Sequence, residues 1–176
     1  MSRVNRLALA ALLSAIAPLT AAAQTAPQPY HAPPVVDGTA MSAEAERAAL
    51  IARTKAELTE SGKTFLWQPL LRDGANIVAL EYWAAAARPA VHTGEAEYFT
   101  VLEGSGTLVT GGTLVGAQTV RPGFVDGDRI EGGTSRALHK GDFVLIPRGV
   151  PHWFGIPQGQ MLVLLGVKVP TAAPTP

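Results

Sequence analysis

The run Gly141-Asp142-Phe143-Val144-Leu145-Ile146-Pro147-Arg148-Gly149-Val150-Pro151-His152 decides how the rest of the chain is read. Phe143 to Ile146, apolar and largely β-prone, spells a short strand. Lys140-Gly141-Asp142 punctuates its start, and Pro147 fixes φ at its end. Gly141 and Gly149 permit turn geometries closed to residues with a Cβ. The tight turn from Pro147 to Pro151 delivers His152, whose ring it can aim back into the body of the fold.

The same pattern extends outward. Ile77 to Trp83, Tyr98 to Leu102, Thr107 to Thr110 and Met161 to Val169 are further strand candidates. They are separated by Asp73-Gly74, Gly104-Ser105-Gly106, Gly111-Gly112 and Gly132-Gly133, all turn signals. Short strands at close spacing without intervening helices predict an all-β fold, a small antiparallel barrel or sandwich. Eighteen glycines, fourteen prolines and only 6% aromatic residues point the same way. At 176 residues the chain suits one domain, because two cores would each bury too little surface.

One helix is expected, within residues 41–63. Ser42 can cap it, Glu44 and Glu46 sit near its start, and Gly62 stops it. Leu50, Ile51, Thr54 and Leu58 share one face, a narrow stripe suited to packing on a sheet.

Fourteen basic residues balance fourteen acidic ones, which offers no electrostatic footprint for nucleic acid. The chain has no cysteine, so disulfides, thiolate nucleophiles and cysteine-ligated zinc are excluded. No Gly-x-Ser-x-Gly elbow occurs, and the glycine pairs open no helix, so serine-hydrolase and phosphate-loop chemistry lack support.

Three polar residues stand out against apolar strand backgrounds: His92, Glu97 and His152. With period two, Glu97, Phe99 and Val101 share one face of a strand, which puts a carboxylate at the edge of a core. An unpaired buried charge costs several kcal/mol, and a cation offsets that cost. That cation is either a metal or an arginine such as Arg88. Glu95 is a spare oxygen donor nearby, His139 reads as a surface strand residue, and His31 lies in a linker. Trp83, Tyr98, Trp153 and Phe154 are expected to fill or flank a pocket.

At these residues the chain resembles the cupin superfamily. The second cupin motif is Gly, five residues, Pro, one residue, Gly, two residues, His, three residues, Asn. Gly141, Pro147, Gly149 and His152 fill the four leading positions, and Ile156 replaces the Asn. In the first motif, His92, Glu97 and Gly104 match, whereas Ala90 stands for the first histidine and Ala84 for the leading glycine. The resemblance covers roughly residues 64–170 and implies a double-stranded β-helix, or jelly roll. It also implies one divalent metal ion (Fe, Mn, Ni or Zn) on His92, Glu97 and His152, a two-histidine, one-carboxylate set. A metal-binding cupin of this kind is expected to be an oxygenase or isomerase acting on a small polar molecule. The alternative is a metal-free module that binds a small ligand without catalysis. A homodimer is compatible with either.

The N-terminus reads as a processing signal. Arg3 and Arg6 precede the apolar run Leu7 to Ala17, and Ala21-Ala22-Ala23 supplies small residues for cleavage. As a helix that run rises only about 16 Å, too short for a bilayer core of about 30 Å. Residues 1–23 are therefore expected to be a signal peptide, with a periplasmic or secreted product and no membrane association after cleavage. The product would keep twelve basic and fourteen acidic residues, a net charge of −2. Residues 24–40, with Pro27, Pro29, Pro33 and Pro34, read as an extended linker, and residues 171–176 as a flexible tail.

Overall fold

The computed structural model describes residues 39–171 and the backbone of residues 35–36. The expected signal peptide, most of the linker and the tail after residue 171 lie outside the described residues. β1 (Val35–Val36) and β2 (Thr39–Ala40) pair antiparallel, so the end of the expected linker carries a short ribbon. Helix α1 spans Glu44–Ser61. Ala43, rather than Ser42, is its N-cap: the Ala43 N–H donates to the Glu46 carboxylate at 3.0 Å. Glu46 thus reaches back to the N-cap N–H, and no side chain caps the first turn as Ser42 was expected to. Gly62 closes the helix in the left-handed region at φ 67°, with its N–H donating to Leu58 O. Among the described residues no helix is long and apolar enough to cross a membrane.

β3 (Phe65–Asp73) and β4 (Asn76–Trp83) form a hairpin across Gly74, and β5 (Ala90–His92) follows. β6 runs unbroken from Glu95 to Thr110. This corrects the expectation of two strands parted by a turn at Gly104-Ser105-Gly106. Those glycines mark a bulge in one long strand instead of a turn. Across the bulge Val163 faces Glu103 but Leu164 faces Val101, which leaves Leu102 unmatched. Gly104 sits there at φ 79°, and a Cβ on it would lie 1.8 Å from the Met161 carbonyl oxygen. The bulge depends on that close approach, which no local pattern announces.

Small strands follow: β7 (Thr113–Val115), β8 (Gln118–Arg121), β9 (Phe124–Asp126), β10 (Arg129–Glu131) and β11 (Thr134–His139). β12 (Phe143–Ile146), β13 (His152–Gly155) and β14 (Leu162–Pro170) complete the chain. Ten strands make one antiparallel sheet in the order β3-β4-β14-β6-β13-β5-β9-β8, with β11 and β12 also joined to β6. β6 pairs with β12 and β14 through its first half and with β11 and β13 through its second. A straight strand of that length would span about 50 Å. Here it curls, and the sheet curls with it into an antiparallel jelly roll.

Period two then divides the core. Leu162 and Leu164 of β14 join Phe99, Val101, Leu108, Ile146 and Phe154 inside the curl. Val163, on the opposite face, joins Leu80 and Tyr82 beneath Leu50, Ile51 and Leu58 of α1. The expected helical stripe is the buried one, Thr54 included. Each buried leucine or isoleucine of this kind contributes about 2 kcal/mol.

Candidate metal centre

His92, Glu97 and His152 arrive from three strands, and each is buried. Glu97 lies on the inward face of β6 with Phe99 and Val101, as the alternation requires. His152 opens β13, where it pairs across to Ala90. His92 ends β5 opposite Phe124 of β9. The turn before His152 also fastens His92: the Gly149 N–H donates to His92 O at 2.8 Å, and Arg148 Nε donates to Thr93 O. The residues that shape the turn therefore hold both histidine backbones.

The donor atoms converge. Glu97 Oε1 lies 3.1 Å from His92 Nε2, and Glu97 Oε2 lies 3.2 Å from His152 Nε2. One donor atom from each residue lies within 4.8 Å of the others. The His92 and His152 rings stack at 5.6 Å with 14° between planes.

The tautomer of His152 gives these distances chemical meaning. Its Nδ1 is 3.1 Å from the Val150 carbonyl, an acceptor only, so Nδ1 carries the proton. Burial pushes the His152 pKa down, which keeps the ring neutral and leaves a lone pair on Nε2. That lone pair faces a carboxylate oxygen across 3.2 Å. Two acceptors so placed suit a cation between them. Ligands about 2.1 Å from a shared ion stand about 3.0–3.4 Å apart for right-angled to tetrahedral spreads. Both histidine–carboxylate spacings fall in that range, on separate oxygens of Glu97, and the three donors lie within 4.8 Å of one another, so the residues present suit a divalent ion.

Glu95 is placed behind the site and outside the donor set: its Oε1 lies 3.1 Å from His92 Nδ1, the ring nitrogen away from Glu97. His92 Nδ1 makes no hydrogen bond there, so Glu95 stands beside the ring as a nearby charge. Arg88, the alternative partner for Glu97, instead pairs with Asp126 at 3.2 Å and Asp128 at 2.9 Å. The cation that reaches Glu97 is Lys168 of β14, at 2.7 Å from Oε1. Its Nζ also donates to Glu81 Oε1 at 2.7 Å, and Trp83 Nε1 donates to Glu81 Oε2 at 3.3 Å. Sequence reasoning missed Lys168 and Glu81. The signal was present: Lys168 is in step with Leu162 and Leu164, an inward face, just as Glu97 is with Phe99.

Burial alone would raise the Glu97 pKa. The His92 hydrogen bond and the Lys168 charge lead the contacts that outweigh it and hold the carboxyl well below the usual range. Burial likewise works to lower Lys168, but Glu81 and Glu97 raise it above its ordinary value. Both groups are charged at neutral pH.

The cluster forms the floor of a cavity of about 430 Å³. Trp83, Trp153 and Phe154 line it as expected, joined by Phe65 and Phe124. Tyr98, on the alternate face of β6, instead lines a neighbouring cavity with Glu81, Glu97 and Lys168. His139 is exposed at the end of β11, as expected, and His31 lies outside the described residues.

The chain has resemblances among known proteins. A solved structure from Thermus thermophilus, TT1209, is 18% identical and covers 61% of this chain and 84% of its own, with a TM-score of 0.45. The polyketide cyclase RemF from Streptomyces resistomycificus is 24% identical, with coverage of 64% and 69% and a TM-score of 0.44. The Cnp3 cupin domain of Schizosaccharomyces pombe is 12% identical, with coverage of 62% and 63% and a TM-score of 0.45. No curated protein matches. The family model described as cupin matches residues 63–171. The chain belongs to the cupin family.

Proposed function

We propose that this protein is an exported metal-binding cupin in which His92, Glu97 and His152 hold one divalent ion. The neutral His152 Nε2 facing Glu97 Oε2 at 3.2 Å carries the reading. A bound ion would supply Lewis-acid or redox chemistry to a substrate oxygen, in an oxygenase or isomerase reaction on a small polar molecule. The chain's own residues do the rest. Val150 fixes the His152 tautomer, Glu95 places a negative charge 3.1 Å from His92 Nδ1, and aromatic side chains wall the cavity above the floor. Iron, manganese, nickel and zinc all accept such donors.

Elemental analysis of protein from its native host tests the metal. Stoichiometric metal is expected, with loss in each of His92→Ala, Glu97→Ala and His152→Ala. Full occupancy in His152→Ala would overturn the assignment. Intact mass on the same preparation tests export: a chain beginning at Gln24 supports it, and retained residues 1–23 oppose it.

One observation favours a second reading, a metal-free ligand-binding module. Lys168 already neutralises Glu97 at 2.7 Å, so the buried carboxylate does not require a metal. Metal-free native protein carrying an organic ligand would establish that reading instead.

A further inference from the structure

Of the cations lining the cavity, Lys168 is held by Glu81 and Glu97, and Arg88 by Asp126 and Asp128. Arg121 is different. Among the described residues no carboxylate lies within ion-pair distance of it. Its guanidinium carbon stands over a ring instead, 4.7 Å from the centre of Phe124. A guanidinium held over a ring and paired with no carboxylate has N–H groups to spare, and a guanidinium edge grips a carboxylate with two parallel hydrogen bonds.

Arg121 also has a fixed relation to the floor. The Phe124 ring beneath it lies 5.1 Å from the His92 ring, so guanidinium, phenyl and imidazole follow one another down the wall. Arg121 is exposed, whereas His92 and His152 are buried, which puts the charge at the mouth and the donors at the bottom. Between them the walls are Phe65, Trp83, Trp153 and Phe154, flat surfaces that favour a flat guest.

We infer that the cavity takes a planar carboxylate, with its anionic end on Arg121 and an oxygen at its far end directed to His92, Glu97 and His152. The inner contact rests on the proposed metal reading. The Arg121 contact does not, and the two are separable by experiment.

The probes are 4-hydroxybenzoate, a flat molecule with a carboxylate and an oxygen at opposite ends, and its uncharged analogue 4-hydroxybenzamide. Isothermal titration is performed on wild type, Arg121→Gln and Arg121→Lys, each with and without added zinc, with zinc content measured on every sample. Wild type is expected to bind the carboxylate at least tenfold tighter than the amide. Arg121→Gln should bring that ratio near one without changing Tm, and Arg121→Lys should keep part of it. Equal affinity for the two probes, no binding of either at millimolar concentration, or an unchanged ratio in Arg121→Gln would each overturn the inference. Protein that takes up no zinc yet prefers the carboxylate through Arg121 supports the inference and overturns the metal reading. Zinc-loaded protein indifferent to the charge does the reverse.

Discussion

Lys168 Nζ and Glu97 Oε1 stand 2.7 Å apart, on residues that face each other directly across the β14–β6 ladder. The oxygen that Lys168 occupies is the same one that faces His92 Nε2. An ammonium at that distance repels a divalent ion approaching the same carboxylate. Lys168→Met should therefore raise metal affinity, by roughly tenfold. Without metal, the variant leaves buried Glu97 and half-buried Glu81 without their shared cation, at a cost of about 3 kcal/mol. The expected result is a lower Tm in chelator and a larger Tm gain on adding zinc than wild type shows. Titration calorimetry and paired melts check both halves.

Acid should destabilise the metal-free protein in two stages. The folded His152 pKa is depressed below its ordinary 6.5, so as pH falls the unfolded chain takes up that proton first, and stability declines from that pH downward. The Glu97 carboxyl, depressed from 4.5, adds stability that is lost as pH falls below that value. Thermal melts from about pH 7 to about pH 2 should show both declines. His152→Gln should remove the upper decline, and Glu97→Gln the lower.

Ala90 provides a test of the site by addition. It is buried, pairs across to His152, and lines the same cavity as His92 two residues on. Positions two apart on a strand project to one face about 6.6–6.8 Å apart, close enough for both rings to reach one ion. Ala90→His should raise metal affinity about tenfold, most for nickel and zinc, which favour imidazole. Unchanged affinity with intact circular dichroism would show that the new ring misses the site.

Gly104 and Gly94 make a matched pair. A Cβ on Gly104 meets backbone oxygen at 1.8 Å, whereas one on Gly94 meets nothing within 4 Å. Gly104→Ala is expected to cost roughly 3 kcal/mol, because the bulge of β6 must open. Gly94→Ala should stay within about 0.5 kcal/mol. Urea unfolding of the two variants gives the comparison directly.

Local grammar carried the sequence a long way. Gly141, Pro147 and Gly149 act within a few residues of one another, so their turn and the aim of His152 were readable. The face of α1 was readable for the same reason, since Leu50, Ile51, Thr54 and Leu58 recur at the helical period. What escaped depends on pairing over long separations. Nothing near Gly104 reveals that Met161 will press against it, so the bulge resembled a turn. Nor does anything near Glu97 reveal that β14 sets Lys168 opposite it. Arg88 was the nearer cation in sequence, but Asp126 of β9 and Asp128 in the connection after it claim it. The short strands β7 to β10 carry too little alternation to be told from loops.

The division of labour around β6 bears on how such a protein can change. Glu97 and His152 both hang on hydrogen-bonded ladders of this one curled strand, near its opposite ends. Arg121 and the residues around Arg88 sit instead on the short outer strands and the connections between them. Inheritance can therefore rewrite the mouth of the cavity, and with it the choice of guest, while the floor stays as it is. An engineer enjoys the same freedom: graft new segments at the rim, and leave the long strand alone.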